Sequence, residues 1–196
     1  MKFEFVAGNL ALDFANSVHE HGSPDPQDDL KTYADLIDWS RQAGLLSERQ
    51  CRDLHRKKPA QARLEFKRAL ALREAVYAIF SSQARGKRAP IKGLQRLNWH
   101  LRGVMTEPNL QSAGKGFELR WGKSDRPMQR VWGEITRSAV SLLTSERLHR
   151  VRQCAGESCT WLFLDTSRNG LRRWCDMQAC GNRAKVRRFR QRNAAV

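Results

Sequence analysis

Apolar residues recur every three or four positions through most of the first 146 residues, the pattern of helices with one buried face. It predicts helices over residues 9–18 and 31–43, from Ser47, from Pro59 to Arg85, from Pro90 and from Pro127. Ser47 and Gln50 complete a capping-box pattern, and proline suits the first turn of a helix. We therefore expect a mainly helical N-terminal region.

One segment of this region alternates strictly between apolar and polar residues. Phe117–Trp121 predicts a strand, and its partner is expected near Val104. Gly22, Pro24 and Pro26 predict a loop over residues 20–28. The expected fold class is mainly α (α+β), a helical domain over residues 1–146 with one short strand pair.

The charge balance changes near Ser145. Residues 147–196 hold 12 of the 36 Lys and Arg residues but only three of the 20 acids, which gives this quarter of the chain +9 of the net +16. The shift predicts a second, small unit over residues 147–196, and such a charge favours nucleic acid or an anionic surface as partner. No apolar run approaches the roughly 20 residues of a membrane span. We expect a soluble, cytoplasmic protein with no membrane partner.

Four of the five cysteines form two pairs in this basic segment, Cys154-x4-Cys159 and Cys175-x4-Cys180. Each pair can present two thiolates together, and four thiolates at about 2.3 Å complete the tetrahedral coordination of Zn²⁺. Because four cysteines leave no open position for water, one structural zinc ion is expected rather than a catalytic one. The fifth, Cys51, is expected to be an ordinary helix residue.

The residues between the cysteine pairs predict a small fold around the metal. Trp161–Asp165 is an apolar strand candidate, and Asn169-Gly170 predicts a hairpin turn that leads back through residues 172–174. Trp161, Phe163 and Trp174 are expected to form a miniature core of the zinc module.

A basic helix is predicted after the last cysteine. Gly181-Asn182 is expected to cap it, and Val186 and Phe189 are expected to dock against the zinc core. Arginine at this density suits phosphate contacts and guanine edges in a major groove. The predicted nucleic-acid-binding residues are Arg168, Arg172, Arg173, Arg183, Lys185, Arg187, Arg188, Arg190 and Arg192.

Two known families are similar to the two parts of the chain. The cysteine spacing with Phe163–Asn169, Arg172–Met177 and Cys180-Gly181-Asn182-Arg183 resembles the CGNR zinc-finger family. Leu12–Ser17 and Leu36–Trp39, with Gly44-Leu45-Leu46 after them, resemble the ABATE domain that precedes this finger. The resemblance implies a bacterial, zinc-dependent regulator of transcription that binds DNA.

The favoured function is therefore a transcription regulator whose zinc module binds double-stranded DNA. The N-terminal domain would sense a small-molecule effector or mediate homodimerisation. Asp13 and Asn16 lie at helical spacing near His19 and are candidates for a ligand pocket, although such side chains more often satisfy buried backbone groups.

The alternative is an RNA- or ribosome-associated protein, because attraction to phosphate does not distinguish RNA from DNA. An enzyme is not expected, since the five histidines are scattered and the chain has no G-x-S-x-G, H-E-x-x-H or phosphate-binding glycine loop. His19 and His21 flank Glu20 beside the Gly-Pro loop and are expected at the surface.

Overall fold

The computed structural model describes residues 2–104, 108–121 and 126–193. Its α-helices are α1 (Leu10–Ala15), α2 (Tyr33–Gln42), α3 (Glu48–His55), α4 (Pro59–Ala84), α5 (Ile91–Val104), α6 (Pro127–Leu143) and α7 (Asn182–Asn193). Its strands are β1 (Val18–His19), β2 (Gln27–Asp28), β3 (Pro108–Ala113), β4 (Gly116–Trp121), β5 (Val151–Gln153) and β6 (Leu162–Leu164). They pair antiparallel as β1 with β2, β3 with β4 and β5 with β6.

Helix α4 is the element against which most of the described fold packs. It begins with Pro59 in its first turn and ends at Ala84; Gly86, just after it, has a φ of 66°, a left-handed conformation that favours glycine. Its 26 residues span about 39 Å at 1.5 Å per residue. It packs against α1, α2, α5 and both strands of the zinc module. None of the described helices, α4 included, is both long and apolar enough to cross a bilayer.

Helix α1 lies at the centre of the molecule. The side chain of Asn9 accepts hydrogen bonds from the N–H groups of Ala11 and Leu12 at 3.0 and 3.3 Å, so the helix starts there. A helix of six residues has little stability of its own. Burial of Leu12 and Phe14 between α4 and α6 holds it in place.

The predicted helix starts are confirmed because they depend on local chemistry. Ser47 and Gln50 exchange both hydrogen bonds of a capping box at the start of α3. Thr32 and Asp35 form a second capping box, at the start of α2, which was not predicted. Gly44 adopts a φ of 74° just after α2 ends.

The predicted strand at residues 117–121 is confirmed as β4, but its predicted partner is wrong. Val104 is the last residue of α5, and β4 pairs instead with β3, in a register that places Pro108 opposite Trp121. Gly114 and Lys115 connect the two strands. A turn of two residues forces pairing with the segment immediately before it, which excludes Val104.

The zinc module shares its core with the helical region. Leu162, Phe163 and Leu164 of β6 are fully buried against α1 and α4, within one apolar cluster that extends from Phe3 to Cys180. The prediction of a separate miniature core is therefore wrong. A segment of about fifty residues buries its apolar strand most effectively against a larger neighbour.

The predicted hairpin within the module is also wrong, although the strand and the turn both exist. β6 pairs with β5, which precedes it, and residues 172–174 form no strand. Gly170 adopts a φ of 66° in the predicted turn. The buried carboxylate of Asp165 accepts a hydrogen bond from the N–H of Arg172 at 3.0 Å, which folds the returning chain across the end of β6 rather than alongside it.

Candidate metal centre and nucleic-acid interface

The four predicted zinc ligands converge. The Sγ atoms of Cys154, Cys159, Cys175 and Cys180 all lie within 4.8 Å of one another. The sulfur of Cys175 is 3.7 Å from that of Cys159 and 3.6 Å from that of Cys180. Sulfurs at about 2.3 Å from a central zinc ion are separated by about 3.8 Å in a tetrahedron. The four cysteines form one structural zinc-binding site.

Hydrogen bonds to the sulfurs favour their thiolate form. The N–H groups of Gly156 and Cys175 donate to the Cys154 sulfur at 3.4 and 3.3 Å. The guanidinium of Arg183 donates to the Cys180 sulfur at 3.1 Å. Four thiolates and one Zn²⁺ carry a net charge of −2, and these donors offset part of that charge.

The crowding of the thiols explains why the site needs a cation. Hydrogen bonds from Cys159 and Cys175, and then from backbone N–H groups, lower the pKa of Cys154. The hydrogen bond with the Cys154 sulfur, together with burial, raises the pKa of both Cys159 and Cys175. These opposed shifts disfavour ionisation of Cys154, Cys159 and Cys175 together, and a positive ion between the sulfurs removes that conflict.

Gly156 lets the first cysteine pair fold tightly. A Cβ at this position would lie 2.9 Å from the Cβ of Cys159 and 3.5 Å from the sulfurs of Cys154 and Cys180. Gly156 lies between the two cysteines of the pair, but nothing in the local sequence pattern predicts this requirement.

Arg172 stabilises the loop between the cysteine pairs through contacts with backbone carbonyl groups and a buried ring. Its guanidinium lies 4.5 Å from the ring centroid of Phe163 and donates to the carbonyl oxygens of Val6, Trp174 and Cys175. The prediction that Arg172 contacts nucleic acid stays a prediction, and the observed contacts give this residue an internal structural role.

The basic helix is continuous with the second cysteine pair. Asp176 accepts hydrogen bonds from the N–H groups two and three residues after it, at 2.5 and 2.9 Å. A π-helical turn over Met177–Gly181 follows and carries Cys180 into α7. The predicted cap at Gly181-Asn182 is wrong, because helical structure begins one turn earlier. The zinc site therefore fixes the start of α7 directly.

The predicted basic helix itself is confirmed as α7. All six of its basic side chains are exposed, and its sequence contains no acid. Arg187 pairs with Glu157 of the first cysteine pair, and Arg183 donates to Cys180. Among the described residues, the other four basic side chains of α7 have neither an acidic nor a sulfur partner: Lys185, Arg188, Arg190 and Arg192. Arg168 and Arg173 are also exposed, and Arg173 lies 5.4 Å from the Trp174 ring centroid.

One side of α7 borders a cleft beside the metal centre, and this reverses the predicted orientation of the helix. Ala184, Arg187, Arg188 and Gln191 line this cleft of about 230 Å³ together with residues 155–159 and Cys180. Val186 and Phe189 lie on the other side of the helix, 50% and 66% exposed. The prediction that they dock against the zinc core is wrong, since Ala184 occupies that side.

Asp13 and Asn16 are buried and bonded to backbone groups. The amide of Asn16 donates to the carbonyl oxygen of Leu162 and accepts from the N–H of Leu162, both at 2.8 Å. Asp13 accepts from the N–H of Ala7 at 2.9 Å, and the carbonyl oxygen of Ala7 accepts from Leu164 at 2.8 Å. These bonds join α1 to β6. The ligand pocket proposed for Asp13 and Asn16 stays a prediction.

A polar cluster that the sequence pattern does not predict joins the helical region to the module. Arg73 is buried and forms two hydrogen bonds with Asp28, at 2.8 and 2.7 Å. The ring of His21 stacks on Tyr77 with 3.5 Å between ring centroids. The backbone N–H of His21 donates to the hydroxyl oxygen of Thr160 at 2.8 Å. The prediction of His21 at the surface is wrong, since its side chain is 8% exposed and burial lowers its pKa.

Two family models match the chain. The ABATE model, whose description is "Putative stress-induced transcription regulator", matches residues 8–146, which is more than half of the chain. The CGNR zinc finger model matches residues 150–193. Comparison with curated proteins gives no match.

Proposed function

Since the chain belongs to the ABATE family and ends in a CGNR zinc finger, we propose that it is a zinc-dependent DNA-binding transcription regulator. In this proposal the zinc ion holds the C-terminal module in shape, and α7 contacts the phosphates of duplex DNA. The N-terminal helical domain senses a small-molecule effector or mediates dimerisation. The protein has no enzymatic activity in this proposal.

The observation that carries the proposal is the exposed positive charge of α7. The four basic side chains that have neither an acidic nor a sulfur partner among the described residues lie on one helix of twelve residues, which starts two residues after the zinc ligand Cys180. Phosphates of DNA supply the counter-charge that this surface lacks, and release of their counterions drives binding.

The shape of α7 favours duplex DNA over RNA. An isolated, exposed α-helix fits the major groove of B-form DNA, whereas the major groove of A-form RNA is too narrow to admit it. Recognition of single-stranded RNA uses several aromatic side chains as stacking platforms. The sequence of α7 has one aromatic residue, Phe189.

The salt dependence of DNA binding tests the proposal. We expect an R190A/R192A double variant to bind random-sequence duplex DNA more weakly, with a log–log salt slope lower by about two, because each lost phosphate contact removes about 0.9. The matched control is R63A/K67A, which removes the same charge from exposed positions of α4 and should keep the slope. Binding would be measured by fluorescence anisotropy across a salt series.

The outcomes separate the candidate partners. An unchanged slope in R190A/R192A would contradict the assignment of α7 as the DNA-binding element. Displacement of the duplex by structured RNA at equal nucleotide concentration would move the function to RNA.

A further inference from the structure

The side of α7 that faces away from the zinc centre is apolar at its middle. At 100° per residue, Asn182, Val186, Phe189 and Asn193 form one stripe along the helix, opposite Ala184 and the cleft. The side chains of Val186 and Phe189 are three residues apart and therefore adjacent. Both are largely exposed.

Positive charge borders this stripe on both sides. The same geometry places Arg190 on one side of Val186 and Phe189, and Lys185 and Arg192 on the other. All three charged side chains are exposed, with no acidic partner among the described residues. An occupant of this surface must therefore present an apolar feature between two lines of negative charge.

The major groove of DNA has this arrangement. Its two walls are phosphate backbones, and its floor carries the 5-methyl group of thymine, the apolar feature of the base edges. Val186 and Phe189 are separated by about 4.5 Å along the helix axis, which is close to the roughly 3.4 Å rise of one base pair. Two neighbouring base pairs are therefore within reach of the two side chains.

We infer that Val186 and Phe189 contact thymine methyl groups and make α7 a base-reading helix that prefers thymine at neighbouring positions. The inference rests on the proposed function and adds a source of sequence preference to it. Asn182 is not included, because its amide already donates to the carbonyl oxygen of Gln178 at 3.0 Å.

Replacement of thymine by deoxyuridine tests the inference directly. The substitution removes only the methyl group and keeps the charge and the base pairing. Zinc-loaded protein would first select its preferred duplex from a random library, and its affinity would then be compared for the thymine and deoxyuridine forms. We expect a roughly fourfold loss for each contacted methyl group, the effect of burying one such group.

Variants assign the contact to the two residues. V186A and F189A should each bind the thymine duplex more weakly and lose the share of the thymine–deoxyuridine difference that comes from its own methyl contact, and the double variant should lose the whole difference. R190A/R192A should weaken binding to both duplexes equally. L171A is the matched control, because Leu171 is a 71% exposed apolar residue of the same module outside α7, and it should keep the full difference. Zinc content near one per chain would show that each variant is folded.

Failure of the inference differs from failure of the proposed function. Salt-dependent duplex binding with equal affinity for thymine and deoxyuridine would overturn the inference and leave the proposed function standing. Absence of duplex binding under all conditions would overturn both. If F189A instead abolished self-association, or binding to anionic phospholipid vesicles, with base discrimination unchanged, the stripe would be a dimer or membrane surface and the inference would be wrong.

Discussion

Asp13 has an unusual ionisation for a residue at the centre of the molecule. Burial raises its pKa to about 6, and the hydrogen bond from Ala7 only partly offsets this effect. A raised pKa means that the folded state holds the proton more tightly than the unfolded state. The stabilisation from protonated Asp13 is therefore complete below about pH 4 and is lost as the pH rises through 6.

We expect the free energy of unfolding of D13N to exceed that of the wild type by up to about 3 kcal/mol at pH 7. Near pH 4 the two free energies of unfolding should be equal. Asparagine keeps the acceptor for the N–H of Ala7 and removes the buried charge. Urea denaturation at both pH values measures the difference. The control D25N changes an exposed carboxylate and should have little effect at either pH. Equal stability of D13N and wild type at pH 7 would contradict the raised pKa of Asp13 in the folded state.

Sequence predicts single residues well when their chemistry is local. The four zinc ligands could be predicted because each pair lies within six positions and cysteine has few other roles at such spacing. The bonds of Asn16 could not be predicted, because their partner Leu162 lies 146 positions away. Nothing in the local sequence distinguishes a buried amide that joins two segments from one that binds a ligand.

The same distinction holds for the elements. Helix starts at Ser47, Pro59 and Pro127 depend on neighbouring residues, and the structure confirms them. The partner of β6 and the orientation of α7 depend on which surfaces of the helical region are available to bury apolar side chains. The spacing of Val186 and Phe189 correctly predicted that they share one side of α7, but it could not show which side faces the core.

The contact between α1 and β6 should depend strongly on Asn16. In N16A both hydrogen bonds are lost, and the buried N–H and carbonyl groups of Leu162 have no replacement partner from this side chain. We expect the free energy of unfolding to fall by roughly 3 kcal/mol, which urea denaturation would measure. N98A, at an exposed position of α5, is the matched control. A loss no greater than that of N98A would show that the pair contributes little.

At the scale of the whole molecule, the zinc centre and the helical region stabilise each other. The apolar cluster that contains Cys154, Cys175 and Cys180 also contains Leu12, Phe14 and Phe80. Loss of zinc should therefore weaken the packing around α1 and α4 as well as the module. The domain boundary after residue 146 stays a prediction, and the packing crosses it.

We expect C175S to lose most of its zinc and to unfold in a single transition at a temperature lower by roughly 10 °C or more. Three thiolates hold zinc poorly, and binding of structural zinc contributes several kcal/mol to folding. Zinc content and calorimetry measure the two effects, and C51S is the control because Cys51 packs in the core away from the ligand cluster. A lower transition of the module alone, with the helical region unchanged, would contradict the shared core.

The burial of β6 also bears on how such a protein can change during evolution. A finger whose central strand is covered by its neighbour cannot be recombined onto an unrelated protein without exposing Leu162, Phe163 and Leu164 to water. The finger and the helical region must therefore be inherited or exchanged between genes together, as one unit. New specificity is then more readily acquired by substitutions on the outer surface of α7 than by the addition or shuffling of fingers.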